Sequence, residues 1–191
     1  MTDPGKTDPK VGVDFIDIIF GIAVGVVFVR FGEATRHQYL KWGYLVVALA
    51  LIGFSWIGYH TSKTANPKSL KFRDLPTILQ FFVDIAIVAV YFAIASETRI
   101  RFSVEVALIA VVFGLYALWD SLDMVMNAPK APARLMNSLI WTAIFAAVAL
   151  VFEWPVRLHH TWQVLLLDGL VIVALYLYRV AQEGHVRTPG R

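Results

Sequence analysis

Long apolar stretches alternate with short segments rich in charge, proline or both. Six such stretches stand out, at about Val13 to Val29, Trp42 to Tyr59, Pro76 to Ala95, Phe102 to Leu122, Leu135 to Phe152 and Trp162 to Tyr178. A helix that rises about 1.5 Å per residue needs roughly 20 apolar residues to cross about 30 Å of hydrocarbon. The pattern therefore predicts an all-α, polytopic integral membrane protein with about six transmembrane helices. Pro76 falls where a first-turn proline is tolerated. The expected organisation is a tail over residues 1–12, a helical domain over 13–179 and a second tail over 180–191. The polar start, with Pro4 and Pro9, leads into an apolar run without a small-residue cleavage site, so the run reads as a retained helix.

Composition agrees with this reading. Of 191 residues, 58% are hydrophobic and 16% charged, too few charges to cover a soluble surface of that length. The formal net charge is +3, and its basic residues are scattered over short loops, which argues against a nucleic-acid partner. Their distribution sets an orientation. Eleven of the 17 Lys and Arg residues fall in the two tails and the second and fourth loops, so the positive-inside rule places both termini in the cytoplasm. The absence of cysteine excludes disulfides and thiolate chemistry. No phosphate loop, zinc-protease motif or nucleophile elbow appears. The expectation is therefore a non-enzyme without cofactor or metal.

The informative side chains are acids inside the apolar runs. Asp84 and Asp168 fall near the middle of the third and sixth stretches, and Asp17 and Asp120 nearer the ends expected to face the cytoplasm. A charge at mid-membrane is costly unless it meets a partner or water. No Lys or Arg lies inside any of the six stretches, so no buried ion pair is expected. Hydrogen bonding between helices, an ion or proton pathway and contacts between subunits are the open alternatives for Asp84 and Asp168, whereas Asp120 and Asp123 are expected to reach the interface. Ser55 and Ser138 are expected to bond across helices. Short segments following Asp84 and Asp168 resemble one another, as an inverted three-plus-three repeat would. Trp56 and His60 are four apart and share a helix face, at the depth expected for Asp17. His37, His159, His160 and His185 lie in loops or helix ends and make no haem or metal set.

The first stretch, Asp14-Phe15-Ile16-Asp17-Ile18-Ile19-Phe20-Gly21-Ile22-Ala23-Val24, resembles the first helix of the transmembrane potassium-channel family marked by a Phe-Ser-Asp motif. Phe15 and Asp17 match that motif. Ile16 replaces its serine, and no arginine precedes it unless Lys10 stands in. Trp56 and His60 resemble the family's tryptophan and histidine at the end of helix two, spaced one residue further apart. The resemblance implies six spans, assembly from several copies of one chain, and a pore lined by helix one, here Ile22, Val26 and Val29. It implies a hydrogen-bonded network of Phe15, Asp17, Trp56 and His60.

The leading expectation is an oligomeric channel for a monovalent cation, in the cytoplasmic (inner) membrane of a bacterium. A proton-coupled carrier using Asp84 and Asp168 is the first alternative. The second is a subunit or effector that acts on a membrane or cytoplasmic protein through residues 63–74 and 127–134.

Overall fold

The computed structural model describes the backbone of residues 10–34, 39–65, 75–96, 101–127, 132–153 and 161–187, and side chains over 17–34, 41–61, 75–96, 101–125, 132–152 and 162–182. Six α-helices account for nearly all of it: α1 (Lys10–Glu33), α2 (Tyr39–Ala65), α3 (Leu75–Ser96), α4 (Phe102–Asn127), α5 (Pro132–Glu153) and α6 (Thr161–Arg187). Side-chain contacts fix their directions. Phe31 near the end of α1 meets Trp42 near the start of α2, and Phe102 at the start of α4 meets Phe152 at the end of α5. The start of α1, the end of α2 and the end of α6 share one end of the bundle, called the terminal end below. The opposite end is called the far end.

Helices α2 to α6 are each long and apolar enough to cross a membrane. The architecture fits a helical membrane protein. The described part of α1 differs, because Asp17, Arg30 and Glu33 interrupt its apolar run and Arg30 bonds to Glu33 at 2.8 Å. Several helices also outlast the apolar stretches that predict them. Helix α5 begins three residues before Leu135, and α6 continues nine residues past Tyr178. Helical backbone persists there because its hydrogen bonds are internal and need no apolar side chain.

Helix α4 is the most enclosed, packing between α3 and α5, while α2 lies along α6. Val106, Ile109, Val112 and Phe113 of α4 are wholly buried. Phe113 stacks on Phe145 at 5.1 Å and meets Tyr178 edge-on at 4.6 Å. Outward faces of α5 and α6 carry Leu150, Trp162, Leu166, Leu170 and Tyr176, each more than half exposed. In water so continuous an apolar face would aggregate, whereas hydrocarbon solvates it.

Candidate functional site

Two polar assemblies occupy the terminal end. The first fastens α1 to α2. Asp17 Oδ1 accepts from Trp56 Nε1 at 3.0 Å and from His60 Nε2 at 2.7 Å. The four-residue spacing of Trp56 and His60 brings both rings to one face, with centroids 4.6 Å apart. The structure thus joins three of the four residues proposed for the motif network. The side chain of the fourth, Phe15, lies outside the described residues. On the same helix, Ile22 and Val29 point away from the bundle, 52% and 63% exposed. Val26 is half-buried and packs against the core, so the three expected pore residues are not equally exposed. At about 100° per residue the three still fall on one broad side of the helix, and Val26 is the member of the set nearest the core.

The second assembly surrounds a cavity of about 140 Å³ between α1, α2, α3, α4 and α6, closed at one side by the start of α5. Phe20, Phe54 and Phe113 line its apolar part, and Asp84 also faces it. Within it Tyr91 on α3 donates to Ser55 on α2 at 2.5 Å and lies 2.7 Å from the hydroxyl of Tyr116 on α4. Ser55 and Tyr116 are bonded as well, so three hydroxyls from three helices close a ring. Buried hydroxyls are costly unless satisfied, and this ring satisfies them mutually.

At the cavity wall Asp120 is 3% exposed. One of its carboxylate oxygens accepts from Arg134 at 3.1 Å and the other from Ser138 at 2.8 Å. Gln182 donates to Tyr178 at 3.0 Å and to Ser138 at 3.3 Å. This corrects two expectations. A buried ion pair does form, and Asp120 is held inside the bundle instead of reaching the interface. The reason is the extra helical turn at the start of α5, which carries Arg134 over Asp120 and over the Trp119 ring, 5.9 Å from its centroid. In the same way the continuation of α6 brings Arg179 into the cavity wall, although it lies just beyond the apolar stretch that ends at Tyr178. Its guanidinium donates to Thr61 at 3.1 Å and lies 2.7 Å from where a β-carbon on residue 58 would be. Only Gly58 leaves that space. Ser55 and Ser138 bond across helices, as expected of membrane serines.

The other predicted residues separate. Asp84 faces the cavity, whereas Asp168 packs on α6 against Gly43 near the start of α2. Gly43 and Gly58 are fifteen residues apart in α2, or roughly 22 Å at the helical rise. The two acids therefore do not share a site. Glu105 in the first turn of α4 is buried as well, an acid that the sequence reading passed over because it sits at the edge of an apolar run. Among the described residues no group of three potential metal ligands gathers. The side chains of His37, His159, His160 and His185, and most of the loops over 63–74 and 127–134, lie outside the described residues.

Comparison with models of known protein families, with curated proteins and with solved structures finds no match for this chain.

Proposed function

We propose that the chain spans the cytoplasmic membrane six times with both termini inside, and that several copies form a channel for a monovalent cation with α1 lining the pore. The observation that carries this reading is the state of α1. Asp17 ties the helix to α2 through Trp56 and His60, while Ile22 and Val29 remain turned away from their own bundle. A helix anchored on one face and apolar on the other is suited to line a pore that closes by dewetting. The test is flux from liposomes holding the purified protein under separate potassium, sodium and proton gradients. A fast, non-saturating cation leak that Ile22→Asn increases supports the reading. A leak that Ile22→Asn leaves unchanged removes α1 from the pore.

The cavity supports a second reading, a proton-linked carrier for a small solute. A pocket between helices lined by Asp84, Arg179 and tyrosine hydroxyls is the kind of place where such proteins hold their cargo. Saturable, substrate-specific uptake that Asp84→Asn abolishes would favour the carrier over the channel.

A further inference from the structure

The ring of Ser55, Tyr91 and Tyr116 in the cavity has no proton left to offer a ligand. Tyr91 donates to Ser55, so Tyr116 is the donor in its contact with Tyr91. The proton of Tyr116 is then committed, and Ser55 donates to Tyr116. Each hydroxyl gives one proton and accepts one, which leaves a lone pair on every oxygen. The hydroxyls beside the ring are committed in the same way. Ser138 donates to Asp120, so Tyr178 donates to Ser138, and Thr61 donates to the backbone oxygen of Ile57. Gln182, also in the wall, turns its amide nitrogen to the Arg134 carbonyl, which can only accept. Its oxygen meets no donor among the described residues, although the side chain is only 7% exposed.

Charge and size narrow the occupant. Asp84, Asp120, Arg134 and Arg179 line the cavity, and their formal charges cancel. Arg134 answers Asp120 directly. An ion entering this low-dielectric space would bring a charge with no counterion of its own. An uncharged molecule carries no such cost. Much of the remaining wall is apolar, including Phe20, Phe54 and Phe113. The volume of about 140 Å³ is close to the roughly 150 Å³ that admits benzene. A ligand suited to this space is therefore neutral, about one aromatic ring in size, and brings its own hydrogen-bond proton.

We propose that the cavity is a binding site for a small uncharged alcohol with an aromatic or similarly compact apolar body. Its hydroxyl donates to the ring of Ser55, Tyr91 and Tyr116, and its apolar body lies among the phenylalanines. The inference gives the carrier reading a class of cargo and rests on that reading only for transport. Binding is measured without flux, so either can fail alone.

The test is saturable binding of radiolabelled benzyl alcohol to the full chain in lipid nanodiscs, with the signal of empty nanodiscs subtracted. Anisole is an isomer of benzyl alcohol without a hydroxyl proton, and benzoate and benzylammonium carry a charge of either sign. Benzyl alcohol is expected to bind saturably. Each of the other three is expected to displace it more weakly than unlabelled benzyl alcohol does, by about fivefold or more, the worth of one hydrogen bond. Tyr91→Phe opens the ring and frees the Tyr116 proton, so it is expected to narrow the gap between anisole and benzyl alcohol. Ile87→Phe fills the cavity and is expected to abolish binding. Should that variant not fold, the ligand series and Tyr91→Phe carry the test. No saturable binding, or displacement by anisole or either ion as strong as by benzyl alcohol, would overturn the proposal. A gap unchanged by Tyr91→Phe, or binding retained in folded Ile87→Phe, would overturn it as well.

Discussion

Asp120 at the terminal end and Asp168 toward the far end are equally buried, at 3% exposure each, yet they are solved by opposite means. Asp120 is met by donors from α5 at both of its carboxylate oxygens. Asp168 has none among the described residues and rests against bare backbone at Gly43. The contrast shows that burial alone does not decide what a membrane carboxyl does. Partner supply decides it, because an ion pair with complete hydrogen bonding is sustainable in the interior and an unpartnered charge is not.

The sharpest way to break the comparison is to turn Asp120 into a second Asp168. Arg134→Ala leaves Asp120 buried beside Ser138 alone, and the expected loss is about 3–5 kcal/mol of stability. Unfolding of the detergent-solubilised protein by heat or denaturant measures it. Arg134→Lys keeps the charge but not the fork geometry and is expected to lose less. If Arg134→Ala is no worse than an outward-facing substitution, the pair does not hold Asp120 in place.

The reverse operation acts on Asp168. Gly43→Ala puts a β-carbon where Oδ2 and the Leu165 side chain now lie, with an expected cost of about 1–3 kcal/mol. Asp168→Ala in the same chain removes the obstacle. The double variant should therefore be more stable than the sum of the two single changes predicts, and a double-mutant cycle reads that coupling. An additive cycle would show that Asp168 is not seated on Gly43.

A smaller effect is expected inside the cavity. Tyr91→Phe removes one hydroxyl from the ring with Ser55 and Tyr116. The remaining two stay bonded to each other, so the loss should be about 1 kcal/mol in the same unfolding assay. A loss several times larger would mean that the ring acts as a unit.

Much of this arrangement is legible in the apolar pattern, and the misses have a common cause. Apolar runs mark where lipid or core contacts a helix, so they locate the six helices well. They do not mark where a helix stops. Arg134 and Arg179 fall outside the apolar runs but inside helices α5 and α6, and that difference moves both guanidiniums into the cavity. Glu105 escapes for a related reason, since an acid in a first helical turn reads as a terminus although its side chain is buried. The joining of Asp17, Trp56 and His60 is the kind of contact that spacing can anticipate, because two of the three share one helix face. Tyr91, Ser55 and Tyr116 come from three helices, and no local spacing connects them.

The smallest expected effect on folding is the most telling for α1. Gly21 and Gly25 are four residues apart, and a β-carbon at either would meet nothing within 4 Å. Within one chain Gly21→Ala should therefore be harmless, and replacing a mid-helix glycine by alanine should add about 0.5–1 kcal/mol of stability. In hydrocarbon, however, small residues at this spacing let two helices approach closely. If copies of the chain meet along α1, the same methyl group separates them. Gly21→Ala should then leave the unfolding of the protomer intact or slightly improved while it weakens the assembly, as read by native mass spectrometry in mild detergent. Unchanged assembly would place the contact between copies elsewhere than this face of α1, and with it the exposed Ile22 and Val29 would be lipid-facing residues instead of pore residues.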